Sequence, residues 1–248
     1  MNYYKLVISY DGTGYQGWQE QKHSSLTIAG TLKNSFVSVF KKDISIVAAS
    51  RTDAGVHAKF QVARIRTTLN IATKQLLSVW NRSLPGDILI KSLKKTSTDF
   101  HPQRNVKQKT YVYKIFLKRP EPFISRYGYF FDYSLDIQKL KEALQIFVGK
   151  HDFRSFCTGY EMGSTTRKID SIVLRQNKKE NSIQIIIKGE SFLRYMIRRI
   201  VGACLEAASR KNLSIEYLQK ALKEKNPKQT LPNAPSKGLT LSKIEYKF

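Results

Sequence analysis

Between Tyr4 and Leu93 the hydrophobic period switches back and forth between two and about 3.6, and the order of those switches restricts the fold more than any other feature of the chain. Tyr4 to Tyr10 alternates and is rich in β-branched and aromatic residues, so it reads as a strand, ended by the turn signal Asp11-Gly12-Thr13-Gly14. Thr27 to Phe40 carries Ile28, Leu32, Phe36, Val39 and Phe40 at helical spacing. Ile44 to Ala49 and Phe60 to Arg66 read as strands. Ile71 to Trp80 supplies a second helical stripe, and the turn Leu84-Pro85-Gly86-Asp87 leads into a strand from Ile88 to Leu93. Strand, helix, strand, strand, helix, strand is the ferredoxin-like order, which places the chain in the α+β class.

Thr96 to Gln108 is polar and basic, and the spacing predicts a boundary there, giving halves 1–104 and 105–248. Lys109 to Leu117 alternates with Tyr111, Tyr113, Ile115 and Leu117 on one face, and an irregular stretch follows from Lys118 to Ser134. A helix is expected over Ile137–Val148, strands over Ile169–Leu174 and Ile183–Lys188, and helices over Phe192–Ala208 and Leu213–Leu222. Leu239–Tyr246 closes as a strand. The second half approximately repeats the element order of the first, without a repeat at residue level. Two such open sheets joined edge to edge would make one continuous sheet with a cleft across it.

Lys and Arg number 43 against 19 Asp and Glu, a formal net charge of +24 distributed along the chain, which points to a polyanion as partner. A membrane surface would call for a basic helix with a strong apolar face, and no apolar run approaches the roughly 20 residues that span a bilayer. The start of the chain runs into a strand and lacks the features of a secretory signal. Cys157 and Cys204, each in an apolar setting, read as buried free thiols of a reducing compartment. His23, His57, His101 and His151 are scattered, so no zinc spacing is present. A cytoplasmic protein is expected.

Between two of the strands lies Ala48-Ala49-Ser50-Arg51-Thr52-Asp53-Ala54-Gly55-Val56-His57-Ala58, where a plain hairpin would need only a short turn. Taken alone, Asp53 has two readings, a cap for local backbone donors or a member of a site. The octet Arg51 to Ala58 resembles the signature of the TruA family of tRNA pseudouridine synthases, in which the aspartate is the catalytic nucleophile. Asp11 to Gln19 resembles the opening motif of the same family, Asp-Gly-x-x-Tyr-x-Gly-Trp-Gln. From their position past a strand end, Tyr15 and Trp18 fit stacking on bases and packing onto their own sheet equally well.

Phe192-Leu193-Arg194-Tyr195-Met196-Ile197-Arg198 resembles a third family motif, Phe-Leu-x-x-Met-x-Arg. By that match Leu193 is the apolar floor beneath the target base and Arg198 pairs with the catalytic carboxylate. Helical spacing would put Leu193 on a stripe with Met196, Ile200 and Ala203, and Arg194 on another with Arg198. A guanidinium at Asp53 would oppose the pKa rise that desolvation brings and would fix the carboxylate's orientation. Phe100 through Tyr113 resembles the stretch leading to the family's active-site tyrosine, and Tyr111 is the matching position, suited to stack on an extruded uracil. By its match Arg51 enters the space the flipped base vacates, and a phosphate contact is its alternative. His101 reads as structural, and so does His57, orienting the loop through a ring hydrogen bond. Thr165 to Ile169 and Ala234 to Leu239 also look like family elements, the first of them RNA-facing.

The resemblance implies the pseudouridine synthase fold, two ferredoxin-like halves joined into one extended, mostly antiparallel mixed sheet with helices on one face and a central cleft. It further implies isomerisation of uridine to pseudouridine at positions 38 to 40 of the tRNA anticodon stem-loop, by a homodimer that needs no cofactor or metal. A non-catalytic RNA-binding module on the same scaffold, and a synthase with another RNA target, are the alternatives. One position departs from the pattern. Ser50 stands where the family usually has glycine, and if that glycine serves a positive φ, serine costs about 1 kcal/mol there.

Overall fold

The computed structural model describes residues 1–21, 26–158, 163–209 and 213–247, so His23 lies outside the described residues. In chain order its elements are β1 (Asn2–Tyr10), α1 (Ile28–Phe40), β2 (Ile44–Ala48), β3 (His57–Thr67), α2 (Thr73–Ser83), β4 (Ile88–Lys95), β5 (Val106–Phe116) and β6 (Tyr129–Phe130), then α3 (Ile137–Gln145), β7 (Gly149–Asp152), β8 (Thr166–Asn177), β9 (Ser182–Gly189), α4 (Met196–Ser209), α5 (Ile215–Glu224) and β10 (Leu239–Tyr246). Two compact units result, Met1–Lys107 with Thr240–Phe248, and Gln108–Leu239. The closing strand therefore counts with the first unit, not with the half that precedes it in sequence.

In the first unit β1 lies between β3 and β4 and is antiparallel to both, from Asn2 opposite Thr67 and from Tyr4 opposite Lys95. β2 pairs antiparallel with β3, from Ile44 opposite Thr67 to Ala48 opposite Ala63. The order β4-β1-β3-β2 is the ferredoxin-like arrangement the sequence predicts. Because β2 covers only the far part of β3, the edge at His57 stays open for another strand. Thr240 and Leu241 of β10 fill it in parallel, opposite His57 and Ala58. Thr27 caps α1 through its hydroxyl, which accepts from Gly30 N, and Phe36 meets Trp80 of α2 edge to face with centroids 4.9 Å apart. Tyr4, Leu6, Ile8, Leu32, Phe36 and Trp80 are fully or almost fully buried and form the core.

The second unit stacks β5, β9, β8 and β7 antiparallel in that order, with β6 parallel on β5. Tyr113, Ile115, Ile183, Ile185, Ile187, Phe147, Phe153, Phe156, Met196 and Ile200 are buried in its interior. Cys157 and Cys204 are buried and form no disulfide, as expected, and burial raises the Cys204 pKa above its ordinary value. Leu117 does not continue the inward face of β5, which ends at Phe116. The Leu117 N–H turns to Asn181 O at 2.8 Å and its side chain is exposed.

The largest difference from the expected elements concerns α4, which begins at Met196 instead of Phe192. Tyr195 sits at φ 62°, in the left-handed region that interrupts a right-handed helix. Leu193 and Arg194 thus belong to the approach to the helix, and Leu193 does not share the stripe of Met196, Ile200 and Ala203. Among the described residues no helix is long and apolar enough to cross a membrane.

Candidate active site

The chain leaves the first sheet after Ala49, whose N–H makes one last ladder bond to Val62 O at 2.8 Å, and re-enters at His57. The intervening loop carries a half-buried Asp53 and an exposed Arg51. Its main chain is tied to the Asp11–Gln19 motif at two points. Trp18 N donates to Thr52 O at 3.0 Å, and Gly55 N donates to Tyr15 O at 3.1 Å. A turn closes around Asp53 itself, with Val56 N donating to Asp53 O at 3.1 Å. The approach of the two segments is close enough to demand glycine at position 17. Gly17 has φ +94°, and a Cβ there would stand 2.7 Å from Thr52 O.

The two family motifs of the first unit therefore interlock. Tyr15 and Trp18 are buried in this contact, in keeping with the packing reading of both. His57 is buried too, with Nδ1 3.1 Å from Gly12 N and 3.0 Å from Asp11 Oδ1, so its ring ties the end of the loop to the Asp11–Gly12 turn. Ser50 is not among the residues of positive φ, and the strain foreseen for a serine in place of glycine does not arise.

The second unit carries Tyr111, Leu193 and Arg198. Tyr111 is buried on β5 opposite Ile187 and meets Phe192 edge to face at 5.4 Å. Lys109, two residues earlier on the same face of the strand, is buried. Desolvation first, and then the Arg167 charge, lower its pKa from 10.5 to about 8 against the opposing pull of Glu190. Arg194 and Arg198 share the ring of Tyr195, at 4.9 and 5.2 Å from its centroid, although only Arg198 is helical.

Arg198 is held twice by one residue of the closing motif. Its Nε donates to Ala234 O at 2.8 Å, and Ala234 N donates to Arg198 O at 3.0 Å. Tyr113 OH donates to Pro235 O at 2.8 Å, anchoring the same segment to β5. A Cβ at Gly202 would collide with Pro232 O, so the segment can lie this close to α4 only over a glycine. Sequence reasoning gave Ala234–Leu239 no specific role, and its function as a strap on Arg198 is visible only in these bonds. His101 caps a local turn, accepting from Gln103 N at 3.3 Å through Nδ1 and from Arg104 N at 3.0 Å through its carbonyl, in keeping with a structural role. In the Thr165–Ile169 element Lys168 is exposed while Thr165 Oγ1 donates to Asp152 at 2.5 Å.

A family model described as tRNA pseudouridine synthase matches residues 6–103 and 143–247. The chain belongs to the tRNA pseudouridine synthase family. Among its relatives, a tRNA pseudouridine synthase A from Thermodesulfovibrio yellowstonii is 36% identical over 252 residues, covering 98% of each chain. Proteins of the same name from Clostridium kluyveri and from a Bacillus strain are 37% and 36% identical, covering 98% and 96% of this chain and 98% and 92% of those proteins. The matched blocks of the synthase include Arg51, Asp53, Leu193 and Arg198, whereas Tyr111 falls in the interval between them.

Proposed function

We propose that this synthase converts uridine to pseudouridine at positions 38 to 40 of the tRNA anticodon stem-loop, with Asp53 as nucleophile, acting as a cytoplasmic homodimer. The observation that carries the reading is the family match, which runs through the whole Arg51–Ala58 signature. Membership of an enzyme family disfavours a purely RNA-binding role, and the charge of +24 suits a tRNA substrate.

The reaction breaks the glycosidic C–N bond, turns the uracil, and joins its C5 to the same sugar carbon. A stacked base must first be extruded, at a cost of a few kcal/mol. Exposed Arg51 enters the space the base vacates. Asp53 then acts at the sugar, either forming a ribosyl ester or starting a glycal route by taking a proton. Arg198 keeps the carboxylate ionised and aimed. Tyr111 stacks on the detached uracil, a contact worth roughly 1 to 3 kcal/mol, over the apolar floor of Leu193. The proton on C5 leaves last, to Tyr111 or to water.

Chemical mapping of pseudouridine in tRNA treated with the parent and with Asp53→Asn tests the proposal. The variant is expected to fold, bind tRNA and make no pseudouridine, and substantial turnover by it overturns the assignment. Light scattering is expected to report twice the chain mass, and a monomer counts against the dimer.

A further inference from the structure

Where the backbone ladder of β2 and β3 ends, a side chain continues it. After the Ala49–Val62 bond the next residue on β3 is Gln61, which is completely buried. Its Nε2 donates to Ser50 O at 2.7 Å and its Oε1 accepts from Ser50 N at 3.3 Å, so the amide answers both peptide groups of Ser50 as a strand neighbour would. The same Nε2 lies 3.4 Å from Tyr10 OH, and Tyr10 OH pairs with Thr52 Oγ1 at 2.7 Å. All four residues belong to the first unit.

The substitution of side chain for backbone has a geometric effect. The loop departs from the sheet at a distance set by the length of the Gln61 side chain, not by the strand spacing. Ser50 and Thr52, on either side of Arg51 and just before Asp53, become two fixed points of the loop. Ser50 takes part through its peptide groups, which explains why serine can replace glycine there.

We infer that Gln61, through Ser50, and Tyr10, through Thr52, are positioning residues that set where Asp53 stands, a role that rests on the reading of Asp53 as nucleophile. None of the four bonds touches substrate, and their effect is on the reaction step. A displacement of the nucleophile of about 1 Å lowers a rate about 100-fold while leaving phosphate contacts elsewhere intact.

The test uses Gln61→Met, which keeps length and bulk without the amide, together with Tyr10→Phe, Thr52→Val and Thr52→Ser. Single-turnover pseudouridine formation, tRNA affinity and hydrogen exchange over residues 50–56 are measured for each. Gln61→Met is expected to lose about 100-fold in rate with tRNA affinity unchanged and exchange accelerated. Thr52→Val is expected to lose about tenfold, and Thr52→Ser, which keeps the hydroxyl, to stay near the parent. A folded Gln61→Met with the parent's rate overturns the inference, and so does an equal loss of rate and affinity. Should Gln61→Met fail to fold, Tyr10→Phe, which removes one oxygen from a ring that stays in place, decides in the same way. If the parent itself makes no pseudouridine in any RNA, the functional proposal fails alone. Exchange over 50–56 then decides the clamp, faster in Gln61→Met supporting it and unchanged overturning it.

Discussion

Asp53 rides on a loop, whereas Arg198 rides on the first turn of α4, and the two are supported in different ways. The loop has little internal structure, so its bonds come from elsewhere in the first unit, from Trp18 and Tyr15 on its main chain and from Gln61 and Tyr10 at Ser50 and Thr52. The helix sustains its own backbone, and Ala234 holds the Arg198 side chain through Nε and its main chain through the carbonyl. The Asp53 loop thus leans on several residues distant in sequence, whereas Arg198 stands on a self-supporting element with the strap beside it. Damage to the first region should appear as faster hydrogen exchange over residues 50–56, and damage to the second as faster exchange around Arg198 and the segment 232–235.

The substitution with the largest expected effect is Gly17→Ala. A methyl at φ +94°, 2.7 Å from Thr52 O, is expected to cost roughly 2 to 4 kcal/mol, read as a lower urea midpoint, with exchange accelerated in residues 50–56. If exchange quickens around Arg198 instead, the comparison breaks. Lys109→Met comes next and sharpens the second unit's side. A lysine whose folded pKa is about 8 against an ordinary 10.5 favours the neutral form, so below pH 8 burial of the charge costs the parent on the order of 3 kcal/mol. Between those pH values the unfolded chain holds more protons than the folded one. Parent stability is therefore expected to rise relative to Lys109→Met as pH goes from about 8 to about 10.5. Urea unfolding of both across that window checks the sign.

Gly202→Ala is expected to cost roughly 1 to 3 kcal/mol by driving Pro232 O away from α4, and to lower stability and rate together because the strap moves with it. Faster exchange over residues 50–56 in this variant would erase the distinction between the regions. Tyr113→Phe should have the smallest effect, about 1 kcal/mol for the bond to Pro235 O, with little change in rate. Thermal melts beside single-turnover rates separate these two.

Much of this was legible in the sequence, for identifiable reasons. The first unit's order follows from period changes that local residues encode, and Asp53 stands out because its loop is too polar and too long for a hairpin. The start of α4 was not legible, since Phe192 to Tyr195 fits a helical stripe and only the left-handed Tyr195 ends it. β7, Gly149–Asp152, has no hydrophobic period to detect. Gln61 shows in sequence as a polar residue inside an apolar strand, a hint without a partner. The placement of β10 against His57 rests on pairing between distant segments, which leaves no periodic trace.

That placement ties the loop to the schedule of synthesis. The edge of β3 at His57 stays unfilled until Thr240 and Leu241 exist, and the whole of Gln108–Leu239 is made in between. At roughly 5 to 20 residues per second the wait is on the order of ten seconds. During it the nascent chain carries an incomplete sheet edge beside the Asp53 loop. A chain that stops short of Thr240 would keep every residue of the Arg51–Ala58 signature and lack the strand that borders it.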